Sequence, residues 1–198
     1  MREGVRTLLS SLAGHLHLRA QEVAAEPTIR AIRDSDDFVA LTELIHAAYA
    51  PQAIRGLRYW GTYQTPDDTR KRLGQGFGFV AEVAGRFVGT ITVRPPQPDS
   101  PLALYREPCT WSFGQFAVGP ALKGRGLGRR LHDHVLAFAR SRGARTMALD
   151  TASPAASLIA MYRRWGYELA GEVDWRPRTN YVSVVMRKQI DEGCQREA

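Results

Sequence analysis

Eight consecutive residues, Lys123-Gly124-Arg125-Gly126-Leu127-Gly128-Arg129-Arg130, join three glycines to four basic side chains with no acid among them. Glycine lets backbone approach a ligand closely and takes angles that other residues avoid. The run follows a strand-like stretch, Trp111–Val118, and opens a helical stripe of Leu127, Leu131, Val135, Phe138 and Ala139. The first amides of a helix have no internal partner, and that end carries about half a positive charge. Such a turn is suited to holding phosphates. A tight turn with a solvated basic face would read the same way. The pattern GxxxxGK[ST] of a Walker A loop is absent. Asp150 lies about 22 residues on, near where a dinucleotide fingerprint has its acid, but several strands and two helices precede this turn.

Other residue types with chemical capacity are scattered. Tyr162 sits on an apolar stripe with Leu158, Met161 and Trp165, where it could equally be a core tyrosine. Glu82 is a charge inside a strand-like run, a candidate base or an edge residue; Gln115 and Ser112 could do no more than order a water. His132 and His134 point about 200° apart on a helix, so they cannot share a metal and read as surface or boundary positions. Cys109 and Cys194 form no CxxC or zinc spacing. No metal is expected.

The elements that must position these residues follow from periodicity. Thr28–Arg33 alternates like a short strand. Asp34-Ser35-Asp36 offers cap chemistry to a helix bearing Phe38, Leu41, Leu44, Ile45 and Ala48. Thr65 caps a second helix with Pro66 in its first turn. Phe77–Val83 and Arg86–Val93 read as a hairpin turning at Ala84-Gly85. Five prolines between Pro95 and Pro108 predict a long irregular connection. Arg145–Asp150 is a strand, Ser153-Pro154 opens a helix, and Tyr167–Trp175 and Tyr181–Lys188 are two more strands. The order β-α-α-β-β-β-α-β-α-β-β predicts an α/β fold, a mixed sheet flanked by helices. It reads as one domain over 27–190, with an N-terminal extension over 1–26 and a tail over 191–198.

The run from Gln115 to Gly128 resembles the acetyl-CoA signature of the GNAT N-acetyltransferases. That signature is a strand ending in an apolar residue, Ala and Val, then Arg or Gln, two residues, Gly, one residue, and Gly or Ala, opening a helix. Lys123 stands at the Arg or Gln position. Met161-Tyr162-Arg163-Arg164-Trp165-Gly166-Tyr167 is similar to the family's Leu-Tyr-x-x-x-Gly followed by Phe or Tyr. The resemblance implies the GNAT acyl-CoA N-acyltransferase fold, with about seven strands. It implies acetyl transfer from acetyl-CoA to an amine by direct attack in a ternary complex. Phe116, Ala117 and Val118 match the strand along which backbone groups of Phe116 and Val118 hold the pantetheine arm. Lys123, Gly124, Arg125, Gly126, Leu127, Gly128 and Arg129 match the pyrophosphate loop. Tyr162 matches the general acid beside the CoA sulfur. Seven residues before that tyrosine many members have Asn; here it is Ala155. A GNAT-like domain that binds acyl-CoA without turnover would keep the same motifs.

The 198 residues carry a net charge of +7 and are 44% hydrophobic and 24% charged. A basic balance favours anionic partners. No nucleic-acid-binding signature accompanies it, and much of the excess falls on the glycine loop, so nucleic acid is not expected. Two cysteines fit a reducing cytoplasm. No run of about 18 apolar residues exists, so no integral membrane association is expected. Val5, Leu8, Leu9, Leu12 and Leu16 form an amphipathic stripe in the extension. The resemblance implies that the acceptor, a small-molecule or peptide amine, meets segments 49–76, 94–110 and 174–181. There Arg55, Arg58, Arg176 and Arg178 hint at a carboxylate or phosphate, and Tyr49, Trp60 and Tyr63 at an apolar wall. The general base and the oligomeric state, a homodimer included, are left open.

Overall fold

The computed structural model describes residues 26–190; the stripe from Val5 to Leu16 and Cys194 lie outside them. The strands are β1 (Thr28–Ala31), β2 (Phe77–Val83), β3 (Arg86–Arg94), β4 (Thr110–Val118), β5 (Thr146–Ala152), β6 (Glu168–Asp174) and β7 (Val182–Gln189). The helices are α1 (Phe38–Ile54), α2 (Pro66–Gly74), α3 (Ala103–Arg106), α4 (Leu127–Arg140) and α5 (Ala156–Arg164), with 3₁₀ turns at Trp60–Thr62 and Pro120–Leu122. The strands form one seven-stranded sheet in the order β1-β2-β3-β4-β5-β7-β6. Every pairing is antiparallel except β4 with β5, which is parallel. That mixed sheet is the one the element order predicts.

Alternation along the strands sorts side chains to the two faces. Phe79, Ile91, Val93, Phe113, Met147 and Leu149 point one way, where Leu127, Leu131, Val135 and Ala139 of α4 and Tyr162 of α5 complete the main core. Val80 points the other way, to Phe38 and Leu41 of α1 and Leu73 of α2. Each fully buried aliphatic side chain contributes roughly 1.5–3 kcal/mol. Thr65 is the cap, as expected, and forms a capping box, its Oγ1 accepting from Asp68 N while the Asp68 carboxylate accepts from Thr65 N. A cap of this kind is worth about 1 kcal/mol.

Four local readings change. The α1 cap is Asp37, whose Oδ1 accepts from Val39 N and Ala40 N at 2.9 and 3.0 Å. Asp36 is drawn away by Arg30, which donates to both its oxygens at 2.8 and 2.7 Å. Ser153 does not cap α5: its N–H donates to Val182 O, extending the β5–β7 ladder, and Ala155 becomes the cap position without a side-chain bond. The proline-rich connection contains α3, one helical turn pinned by the buried Tyr105.

His132 is the fourth change. It is fully buried, with Nε2 2.9 Å from the Tyr167 hydroxyl and Nδ1 3.0 Å from Asp133 Oδ1. Burial drives its pKa from 6.5 down to about 4. The folded state therefore refuses a proton that the unfolded chain accepts below pH 6.5, so stability is lost as pH falls through that window. Thermal midpoints should decline between pH 6.5 and 4, by the equivalent of about 3 kcal/mol at full effect. His132→Gln should flatten that decline; an unchanged slope would remove His132 as its source.

Candidate active site

The ladder between β4 and β5 is short. Only Thr110, Trp111 and Ser112 pair, with Thr146, Met147 and Ala148. Beyond Ser112 the two strands diverge, while β4 stays paired with β3 as far as Val118. Gly119 N donates to Val88 O on the β3 side at 2.8 Å. Alternation then turns the main-chain groups of Val118 and Phe116 to the open edge. A cleft of about 1170 Å³ occupies the gap. Gln115 bulges β4 here with φ 50°, a left-handed angle. Its side chain is buried against the cleft, and neither amide atom has a partner among the described residues.

The glycine loop closes one end. Gly124 and Gly126 take φ of 77° and 85°, which ordinary residues avoid. The first main-chain bond of α4 runs from Arg130 N to Gly126 O, so the amides of Gly126, Leu127, Gly128 and Arg129 have no main-chain acceptor among the described residues. A Cβ at Gly128 would lie 3.3 Å from Phe116 Cζ, tight enough to explain its absence. Gly124, Gly126, Gly128 and Arg129 line the cleft together with Phe116, Ala117 and Val118; Leu127 is buried beneath, and Arg125 lies outside. Three of the four basic side chains are already engaged, Arg130 Nη2 donating to Pro27 O at 2.9 Å. Lys123 Nζ donates to Ala48 O at 2.7 Å, and burial lowers its pKa. Arg129 pairs with Asp133 at 2.8 Å, one helical turn away. The main-chain amides thus carry most of the anion-holding capacity.

Tyr162 lines the same cleft from α5. Its ring packs edge-on against Phe113, Trp165 and Tyr167. Its hydroxyl has no hydrogen-bond partner among the described residues. Burial, then Tyr49 nearby, raises its pKa well above 10, so the phenol holds its proton throughout the working range. Ala155, at the position where the signature often has Asn, is buried and offers no polar group.

Across the cleft, strand alternation collects residues that no local pattern links. Arg94, Ser112 and Ala148 stand in register on β3, β4 and β5. Asp150 is two residues further along β5, on the same face. Its Oδ1 accepts from the Tyr105 hydroxyl at 3.0 Å and its Oδ2 from Trp175 Nε1 at 2.9 Å. Burial raises its pKa, against the lowering pull of those donors and of Arg94. Tyr59 stacks between Tyr49 and Tyr181, its hydroxyl 3.0 Å from Thr151 Oγ1. Tyr49 and Trp60 line the cleft as the aromatic pattern suggested, whereas Tyr63 stays outside and donates to Arg178 O.

Besides Tyr63 and the loop residues Arg125 and Leu127, four anticipated side chains do not line the cleft, Arg55 among them, while Arg178 does. Glu82 is gripped by Arg30 at the β1–β2 edge and does not reach the cleft. Arg176 is spent on Asp174 at 2.6 Å, and Arg58 lies over Tyr63. Sequence reasoning missed Asp150 as a site residue, together with Arg72 and Arg94. Arg94 and Asp150 are brought in by pairings across the sheet and Arg72 by the packing of α2, and no spacing announces them.

Comparison with known proteins bears on this geometry. The family model described as the acetyltransferase (GNAT) family matches residues 40–167. The S-(2-succino)cysteine N-acetyltransferase of Bacillus subtilis is 31% identical over 156 residues, 78% of this chain and 91% of its own length. The fold is shared with yncA of Salmonella typhimurium, solved with its cofactor acetyl-CoA, at a TM-score of 0.62 and 22% identity over 88% of this chain and 99% of that one. It is shared equally with the ribosomal-protein-S18-alanine N-acetyltransferase of Escherichia coli, at a TM-score of 0.63 and 18% identity over 86% and 100%. The split sheet, the bare amides at the start of α4 and these matches lead to one assignment: the chain is an acetyl-CoA-dependent acyltransferase belonging to the GNAT family.

Proposed function

We propose that this chain moves the acetyl group of acetyl-CoA onto a primary amine by direct attack, with both substrates bound at once. One observation carries the reading. The bare amides of α4, the open edge of β4, Tyr162 and Asp150 all border a single cleft. The diphosphate rests on the amides of residues 126–129, and the pantetheine arm lies along Phe116 and Val118 like an added strand. The Val118 amide faces the thioester oxygen and steadies its developing charge.

The acceptor must attack as a neutral amine. Asp150, a carboxylate whose burial makes it a stronger base than usual, takes the proton that the nitrogen sheds. The C–N bond forms, the C–S bond breaks, and the departing thiolate takes its proton from the Tyr162 hydroxyl. A thiol has a reference pKa near 8.5 and a phenol near 10. The burial that raises the phenol also raises the thiolate beside it, so the transfer is not made harder by the setting.

The relative's name supplies the first acceptor to try, the α-amine of S-(2-succino)cysteine. With acetyl-CoA and that amine, free thiol and N-acetyl product should appear in equal amounts. A wider panel of amino acids, small amines, aminoglycosides and peptides covers other acceptors. Binding of acetyl-CoA by calorimetry without thiol release across the panel would mark a sensor instead. Absence of any interaction with CoA at millimolar ligand would end the proposal.

A further inference from the structure

We propose that the acceptor amine is carried by an anion, a carboxylate held jointly by Arg72 of α2 and Arg94 of β3. The inference rests on the acetyl-transfer reading and names what that reading leaves open, the chemical class of the acceptor.

Both arginines line the cleft and are largely buried, and the Nε of each is buried without a partner. Arg94 makes no hydrogen bond or ion pair among the described residues. Arg72 donates once, from Nη1 to the amide oxygen of Gln64, and lies over the Trp60 ring at 4.5 Å. Neither meets a carboxylate at ion-pair distance among the described residues. Two buried guanidinium groups within electrostatic reach of each other are costly unless something offsets them. Burial, with Arg94 adding repulsion, takes the Arg72 pKa down to about 10, and burial lowers that of Arg94.

Internal charges offset this only in part: Asp68 acts favourably on Arg72 and Asp150 on Arg94, but burial outweighs both. At this end the cleft is bordered by Lys71, Arg72, Arg94 and Arg178, against Asp99 and Asp150. Asp99 is exposed, and Asp150 accepts from Tyr105 and Trp175 rather than from either arginine. The planar fork of arginine matches a carboxylate, and two forks can grip one acceptor at two points. Arg94 stands on the same sheet face as Asp150. An acceptor held at its carboxylate therefore presents its amine within the set of groups that can take the proton.

Arg94→Gln tests this, because Arg94 makes no internal bond to lose. Matched acceptors, each a free carboxylic acid and its amide, are assayed with acetyl-CoA. The wild type should prefer the acid. In Arg94→Gln, kcat/KM for the acid should fall about 10- to 100-fold, the worth of one charged hydrogen bond. The preference should collapse, while the KM for acetyl-CoA stays put. Succinate at matched ionic strength gives a readout free of turnover: it should raise the wild-type thermal midpoint and not that of the variant. Without ligand, the variant should melt no lower than the wild type, since an uncompensated charge has gone. Equal rates for acid and amide, equal succinate effects in both proteins, or no succinate effect at all would overturn the anion site. A raised KM for acetyl-CoA would assign these arginines to the cofactor's phosphates and overturn it too. Acetylation of uncharged amines alongside such results leaves the transfer reading standing. Arg94-dependent succinate stabilisation with no acetylation of any amine leaves the anion site and removes the transfer.

Discussion

Tyr162→Phe is expected to lower kcat at least tenfold and to leave the Kd for acetyl-CoA within a factor of about two. Proton donation by a positioned acid is typically worth about 10²–10⁴-fold, which sets the range above that floor. The substitution is unusually clean. The hydroxyl has no partner to leave stranded, and the ring contacts with Phe113, Trp165 and Tyr167 survive in phenylalanine. The amides that would hold the diphosphate belong to a different element. A merely structural tyrosine would instead show altered melting with kcat preserved. Stopped-flow thiol release and calorimetry on the same preparation separate the two, and full turnover in the variant would strip Tyr162 of its acid role.

The second large effect falls at Asp150. Asp150→Asn should reduce kcat by about 10²–10⁴-fold at pH 7, since the amine then lacks an acceptor for its proton. The defect should shrink above about pH 8, where an α-amine is already neutral in solution. Stability should move the other way. A carboxyl whose folded pKa is raised binds its proton more tightly when folded. It therefore weakens the fold as pH climbs from the unfolded value through the folded one. Asparagine removes that burden at neutral pH. Its oxygen can still accept from Trp175 Nε1, and the Tyr105 hydroxyl can rotate to accept from its amide. The thermal midpoint should hold or rise. A variant that melts early and is inactive at every pH would make Asp150 a scaffold residue instead.

Local chemistry was legible in the sequence wherever neighbours in the chain are also neighbours in space. The turn of the glycine loop into α4, the Thr65 cap and the Ala84-Gly85 hairpin have the predicted conformations because each is closed within a few residues. Tyr162 could be singled out because its motif is short. Asp37 displaced Asp36 as cap because Arg30, on another element, claimed the nearer carboxylate. His132 looked like a boundary residue until Tyr167, 35 positions away, proved to satisfy its ring. The same holds for the acceptor end of the cleft. Arg72, Arg94 and Asp150 come from a helix and two strands, and only the register of β3, β4 and β5 and the packing of α2 bring them together. Of the four exposed arginines singled out in the sequence, Arg178 borders the cleft, whereas Arg55, Arg58 and Arg176 do not.

The three-residue union of β4 and β5 has a consequence for solubility. A sheet border with idle donors and acceptors invites strands from other molecules, and proteins usually blunt such borders at their rim. Here the idle stretch lies in mid-sheet, recessed among Tyr49, Tyr162 and Trp165. A polypeptide strand with its side chains would have to force its way past those rings, whereas a thin unbranched ligand need not. The enzyme can thus keep a vacant strand position open between turnovers without offering it as a seed for aggregation.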